Sequence, residues 1–428
     1  MAALIYPLLL WLALPLVWCR LWWRAKREPE YGLRKAERLG HVPDEIDQGV
    51  VWFHTVSAGE SIAAAPLIRE IAGRLPNTKV LVTTMTPTGS AQVKSRLGDV
   101  VQHCYAPYDF NFAVKRFFDR VQPKCLVLME TELWPNLIGQ AYKRNIPVCL
   151  VNARLSERSA KGYGRVSSLS RVMVERLSFI ACQTQDHRER FQRLGASGDD
   201  VHVVGSVKYD INVPNDLADR ISDLRQALNL ADELVWIAAS THPGEEEVIL
   251  AAHQQVLGDF PTAKLILVPR HPHRAPSVVE QVAQFGFKPQ LQSEIASQRE
   301  FGGVLVGDVM GTLLELYGLA DVAFVGGSLV AMGGHNPIEP AVLKVPVITG
   351  PNVFNFAETF ADLIAQQAVA QVEVPQQLAD EVVKLLADEN LRSNRADLGF
   401  AYVQANRGAT ERTQGLLVNQ LQTIGLIG

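Results

Sequence analysis

From residue 50 onward, short apolar runs alternate with helical patterns, and this alternation limits the chain to parallel sheets covered by helices on both faces. The first set of runs is 50–55, 79–84, 125–129, 148–152, 179–183 and 201–205, which makes one Rossmann-like unit. The second is 234–240, 264–269, 303–307, 322–326 and 345–349, which makes another. At 428 residues the chain is too long for one ordinary core, in keeping with two domains. Segment 206–215 holds Asn212, Pro214 and Asn215 without helical periodicity, so it reads as a linker between domains 50–205 and 216–428. The tail, 380–425, reads as two helices, the last free to cross back onto the first domain.

The amino terminus departs from this pattern. Residues 1–19 carry no charged side chain, and at ~1.5 Å per residue they match a bilayer's hydrocarbon thickness. Arg20, Arg24, Lys26 and Arg27 follow, which by the positive-inside rule leaves the rest of the chain in the cytoplasm. The expectation is a membrane anchor over 1–23 and a basic juxtamembrane segment over 24–49, with Arg34, Lys35 and Arg38 meeting lipid phosphates. Two geometries are open: a single span, or a monotopic helix in the leaflet with Trp11, Trp18, Trp22 and Trp23 at the interface. A net charge of −4 argues against nucleic acid as a partner. Five cysteines without C-x-x-C spacing read as free thiols.

The strongest local motif is 326–340, Gly-Gly-Ser-Leu-Val-Ala-Met-Gly-Gly-His-Asn-Pro-Ile-Glu-Pro. The glycines permit tight turns after a buried strand, and Asn336 and Pro337 open a helix whose N–H groups and dipole face an anion. Glu339, in its first turn, is placed for ribose hydroxyls. In the first domain, Val-Ser-Ala-Gly-Glu (56–60) offers Glu60 as a general base, while Ser57 and Glu60 equally have capping-box spacing. Glu130 and Glu132 follow an apolar strand; at most one is expected to reach the reaction, Glu130 is nearer the strand end, and the other is free to cap the helix beginning near Trp134. Asn152, Arg154, Ser156, Glu157 and Arg158 form a polar cluster suited to anions or to solvent. Lys208, at the linker, is either a stabiliser of a leaving phosphate or an exposed lysine. Pro269 and Arg270 end a second-domain strand, as do Ser240, Thr241 and His242, and Met310, Gly311 and Thr312 open another helix. His271 and His273 lack the acidic or thiol neighbours of a metal site, and no Asp-x-Asp occurs, so no metal is expected.

Tandem Rossmann-like domains facing a cleft resemble the GT-B arrangement of glycosyltransferases. More specifically, Val-Ser-Ala-Gly-Glu, Glu-Thr-Glu-Leu-Trp-Pro-Asn, Asn-Ala-Arg-Leu-Ser-Glu-Arg-Ser and Gly-Gly-His-Asn-Pro-Ile-Glu-Pro resemble, in the same order, the 3-deoxy-D-manno-octulosonic acid (Kdo) transferases of lipopolysaccharide synthesis. The resemblance implies an inverting enzyme moving Kdo from CMP-Kdo to lipid IVA at the cytoplasmic face of the inner membrane, with CMP as product and no cofactor. It implies Glu60 as proton acceptor, and Glu130 and Lys208 as transition-state stabilisers. CMP then falls to Pro269 and Arg270, to Met310, Gly311 and Thr312, and to Asn336, Pro337, Ile338 and Glu339. Where relatives read Met-Gly-Glu-Leu this chain has Met310-Gly311-Thr312-Leu313, so any contact of that Glu side chain is not carried over. Three rivals stand beside this reading: a UDP-sugar transferase of GT-B type, a nucleotide-sugar epimerase, and a non-catalytic nucleotide sensor.

Overall fold

The computed structural model describes residues 2–230, 232–295 and 301–428. They form two compact units, 1–210 with 407–428, and 211–406. The first holds a seven-stranded sheet of β1 (Val51–His54), β2 (Val80–Thr84), β3 (Gln102–Tyr105), β4 (Cys125–Met129), β5 (Val148–Ala153), β6 (Phe179–Cys182) and β7 (Val201–Val203). Its strand order is β3-β2-β1-β4-β5-β6-β7. The second sheet holds β8 (Val235–Thr241), β9 (Lys264–Pro269), β10 (Lys288–Leu291), β11 (Gly303–Val306), β12 (Val322–Val325), β13 (Val347–Thr349) and β14 (Val369–Gln371). It runs β10-β11-β9-β8-β12-β13-β14. Every pairing is parallel.

The strands are apolar on both faces because both faces are covered. In β1, Trp52 enters one core with Phe117 and Leu126, while Val51 and Phe53 enter the other with Ile68 and Val82. Each such fully buried side chain contributes ~1.5–3 kcal/mol of hydrophobic stabilisation. Three strands lie outside the runs expected from sequence, β3, β10 and β14, and all three are sheet edges. An edge strand needs pairing on one side only, so Gln-His-Cys-Tyr, Lys-Pro-Gln-Leu and Val-Ala-Gln suffice, including a proline that a central strand would not accommodate.

The division 216–428 is corrected at its end. The helix Ala409–Thr423 belongs to the first unit, where Leu417 and Leu421 join the core of Ile68 and Val151. Asp210 seats it: its carboxylate accepts the backbone N–H groups of Gly408 and Thr410, each at 2.6 Å. Asp210→Ala should therefore lower unfolding stability by ~1–2 kcal/mol, read as a drop in the urea midpoint of the full chain. An unchanged midpoint would show that this cap does not anchor the helix.

The amino-terminal helix spans Ala2–Arg27, and Met1, the first residue of the expected anchor, lies outside the described residues. Among the described residues no helix is long and apolar enough to cross a membrane. The helix instead rests against its own unit: the Tyr6 hydroxyl donates to Asp109 at 2.8 Å, Trp11 packs on Phe112 at 5.7 Å, and Leu21 is buried. The basic segment beyond it is also partly built in. Arg38 is buried with its guanidinium over the Tyr105 ring, and Arg34 pairs with Glu37, so neither matches the expected free juxtamembrane charge.

Candidate active site

In each sheet the chain reverses its direction of travel beside the first strand, between β1 and β4 and between β8 and β12. Ligands of doubly wound folds bind at the carboxyl ends of strands at such a point. Three strand ends at or beside these points are distorted. Asn152 (φ 50°) in β5 and Ser240 (φ 60°) in β8 are left-handed and coincide with register shifts, and Glu130 (φ 52°) directly follows β4. Left-handed non-glycine residues cost roughly 1–2 kcal/mol each, and bulges at strand ends re-aim side chains.

At the β1/β4 point Glu60 lies in the first turn of the helix Ala58–Gly73. Both of its open roles have a structural basis. It makes a variant of the capping box: Ser57 Oγ accepts from Glu60 N–H at 3.3 Å, while the Glu60 carboxylate accepts from the Ser57 hydroxyl at 2.8 Å and from Val56 N–H, one residue before the cap, at 2.9 Å. Yet burial pushes its carboxyl up to about 7 against those hydrogen bonds, with Glu132 and Glu130 adding like-charge repulsion. Glu130 pairs with the Arg154 guanidinium at 2.6 Å. Glu132 accepts from Trp134 Nε1 at 2.6 Å, and burial raises its carboxyl as well. The cap of the helix Pro135–Lys143 is supplied by Asp109, which accepts from Asn136 and Leu137 N–H, and so corrects the assignment of that cap to a glutamate.

The polar cluster after β5 is largely spent locally. Ser156 caps the helix Glu157–Gly164, Glu157 pairs with Arg193 at 2.6 Å, and Arg154 holds Glu130. Asn152 is 1% exposed, and its Oδ1 accepts from Val207 N–H at 3.4 Å. This bond ties the turn carrying Lys208 to the end of β5. The first unit thus brings Glu60, Glu130 and Glu132 together, with Lys208 attached one strand along.

In the second unit the turn after β12 is tighter than its glycines suggest. A Cβ on Gly326 would stand 2.8 Å from Ser240 O, so only glycine lets β12 end against β8. The N–H groups of Gly327, Ser328 and Leu329 are not open to a phosphate: Glu245 accepts all three, at 2.7, 3.0 and 3.0 Å, together with His242 N–H at 2.9 Å. The first Gly-Gly pair thus serves the tight turn, and the amides beside it are spent on Glu245. The following helix is Ile338–Val342, one residue later than a proline in first position predicts, with Asn336 Oδ1 accepting from Ile338 N–H at 3.0 Å.

Imidazoles gather here. His242 and His335 face each other with Nε2 atoms 2.9 Å apart in stacked rings, and His271 stands edge-on to His242. Burial first and Arg270 next hold His335 down at about 4, and His242 and His271 are lowered in the same sense. The rings are therefore neutral at pH 7, one of the facing nitrogens donating and the other accepting. Pro269 ends β9, Arg270 is exposed, and its N–H donates to Thr241 O at 3.0 Å. Met310 is exposed, Gly311 has φ 87°, and the Thr312 hydroxyl bonds to Gln292 and to Val309 O. At the position of this chain's departure the threonine thus has partners of its own.

Glu245, His335 and Asp109 were not singled out from sequence. For Glu245 a signal exists, since it follows His242 at capping-box spacing; Asp109 has none, because its partners lie on two other elements.

Against known proteins, the family described as 3-Deoxy-D-manno-octulosonic-acid transferase (kdotransferase) matches residues 34–211. The chain is 41% identical to the 3-deoxy-D-manno-octulosonic acid transferase of Haemophilus influenzae, over 97% of this chain and 98% of that one. It is 33% identical to the Bordetella pertussis transferase of the same name, over 97% and 99%. Among solved structures it is similar to the UDP-GlcNAc 2-epimerase of Neisseria meningitidis (TM-score 0.58, 16% identity, 87% of this chain and 100% of that one). A Rickettsia africae glycosyltransferase is similar too (TM-score 0.54, 13% identity, 88% and 98%). At those identities the structures speak for the GT-B fold alone, whereas the two transferases match from end to end: the chain belongs to the 3-deoxy-D-manno-octulosonic acid transferase family of glycosyltransferases.

Proposed function

We propose that the protein transfers Kdo from CMP-Kdo to a primary hydroxyl of the lipid A precursor lipid IVA, with inversion, in lipopolysaccharide synthesis. The observation that carries this reading is Glu60, a buried carboxyl that titrates near 7 beside Glu130 and Glu132 at the switch point of the first unit. A base poised near working pH removes the hydroxyl proton as the acceptor oxygen bonds to the anomeric carbon of Kdo. The bond from that carbon to phosphate breaks, and CMP leaves as a stable anion. Positive charge develops on the sugar, where Glu130 stabilises it, and negative charge on the phosphate, where Lys208 and Arg270 do. In the second unit Pro269, Arg270, Met310 to Thr312 and Asn336 to Glu339 hold CMP. With the amides of Gly327 to Leu329 occupied by Glu245, the nucleotide phosphate falls to Arg270 and the later part of the 326–340 segment.

The amino-terminal helix serves as a monotopic anchor in the cytoplasmic leaflet of the inner membrane. Its contacts through Tyr6, Trp11 and Leu21 and the exposure of Leu12, Leu16, Trp22 and Trp23 support lying over spanning. The test is incubation with CMP-Kdo, with and without lipid IVA, read by mass spectrometry of the lipid. Release of CMP coupled to a lipid heavier by Kdo is expected, and the same mass counts the residues added. Consumption of a UDP-sugar in place of CMP-Kdo, or turnover of the nucleotide sugar without an acceptor, would sink the reading.

A further inference from the structure

A cavity of about 560 Å³ opens in the first unit between the amino-terminal helix and the helix Ser167–Val174. It is lined mainly by Tyr6, Met85, Trp134, Tyr163, Leu169 and Met173. The volume lies within the ~300–1,000 Å³ of small-ligand sites, but the chemistry of the walls is one-sided. Among the described residues the one carboxylate in the wall, Asp109, is tied off: it accepts from the Tyr6 hydroxyl, Asn136 N–H and Leu137 N–H at 2.8, 3.0 and 2.8 Å. The indole N–H of Trp134 is likewise turned away to Glu132, at 2.6 Å. What remains for an occupant is mainly hydrocarbon and ring surface, with the phenol groups of Tyr108 and Tyr163 among it.

Two further observations say which apolar molecule belongs there. First, the cavity adjoins the carboxylates. Trp134 is a wall of the cavity on one side, while its nitrogen bonds Glu132, a charge that acts on Glu60; His54 braces the ring edge-on at 4.6 Å. Second, the elements around the cavity carry exposed apolar residues: Trp11, Leu12 and Leu16 on the amino-terminal helix, and Val166 and Val172 beside it. A chain leaving a lipid layer and ending at the carboxylates meets apolar surface throughout.

We propose that this cavity holds an acyl chain of the lipid acceptor, so that Trp134 separates a hydrocarbon subsite from the carboxylates that act on the sugar. The assignment rests on the transferase reading above. It makes acyl length a determinant of acceptor choice, and Tyr6 with Asp109 the latch that keeps the cavity wall closed.

The test compares kcat/KM for the tetra-acylated glucosamine disaccharide with that for the same disaccharide after hydrolysis of its ester-linked chains, in one detergent. The wild-type enzyme is expected to favour the fully acylated acceptor more than tenfold. Leu169→Trp, which fills the cavity, is expected to cut that ratio at least tenfold through KM. Leu169→Phe carries the same test with less bulk should the tryptophan variant not melt cooperatively, since the ratio is internal to each folded protein. An unchanged ratio in a folded variant that turns over both acceptors overturns the proposal. So does an unchanged ratio with weakened binding to phosphatidylglycerol vesicles, which would assign the cavity to bulk phospholipid. If the wild-type protein turns over neither acceptor, the transferase reading itself has failed and the subsite falls with it.

Discussion

Glu60→Gln should abolish turnover while making the protein more stable above pH 7. The amide keeps both local bonds, accepting from Val56 N–H and meeting the Ser57 hydroxyl, so the helix start survives. It takes no proton, and loss of a positioned general base lowers kcat by about 10²–10⁴-fold with CMP binding retained. The stability gain follows from linkage. In the unfolded chain the carboxyl ionises near 4.5, in the folded protein near about 7, so between those values the folded state holds the extra proton. Stability contributed by Glu60 is thus present below the unfolded value and lost as pH rises to about 7. The glutamine has no such loss, and above pH 7 the variant should exceed wild type by about 1–3 kcal/mol, the two converging near pH 4.5. Urea titrations across pH 4.5–8 read the difference. In the same frame, Glu132→Gln removes a neighbouring negative charge and should move the acid limb of kcat/KM to lower pH. Full activity in a folded Glu60→Gln protein, or an acid limb indifferent to Glu132, would end the assignment of Glu60 as base.

Glu245→Ala should be the most destabilising single change in the second unit that touches no substrate group. Four backbone N–H groups, of His242, Gly327, Ser328 and Leu329, share this one fully buried carboxylate. A buried donor left without a partner costs ~1–3 kcal/mol, and although water entering the cavity recovers part of it, a net loss of about 3–5 kcal/mol is expected. The functional effect follows the same path. Gly334 N–H donates to Gly327 O and His335 N–H to Gly326 O, so the segment is a closed loop whose near side is held by Glu245. Releasing that side frees Asn336 to Glu339 from their placement, and CMP affinity should fall even in protein that remains folded. Glu245→Gln, with one acceptor oxygen in place of two, should lie between. A Glu245→Ala protein within 1 kcal/mol of wild type, binding CMP normally, would show that the turn holds itself.

Much of this was legible in the residues, and the exceptions have physical reasons. Central strands such as Cys125–Met129 declare themselves because burial on both faces demands an unbroken apolar run. The edge strands β3, β10 and β14 do not, because pairing on one side tolerates glutamine, lysine and proline. Residues at the carboxyl ends of apolar strands, such as Glu130 and Arg270, are legible by position alone, as is Glu60 at the helix start after β1. Partnerships across elements are not. That Glu245 occupies the amides of the 326–340 turn, or that Asp109 caps a helix 26 residues on while holding Tyr6, depends on sheet order rather than on spacing. Arg38 shows the converse: a basic residue in a basic run reads as exposed, and its burial is made tolerable by the tyrosines of β3 and the loop after it together with a bond from its guanidinium to Met85 O at 3.1 Å.

The return of the last helix to the first unit sets the order in which a nascent chain becomes complete. Residues 211–406 leave the ribosome as one contiguous unit and have everything they need once the last of them emerges. The first unit, although begun earlier, lacks Leu417, Leu421 and the capped turn at Gly408 until residues 408–421 have been made. Domains otherwise tend to fold in the order they are made. Here the unit bearing the amino-terminal helix waits for the helix Ala409–Thr423, and a chain stopped before it would keep an apolar gap beside Ile68 and Val151. The helix Ala409–Thr423 is thus a late-made part that the first unit needs for its core.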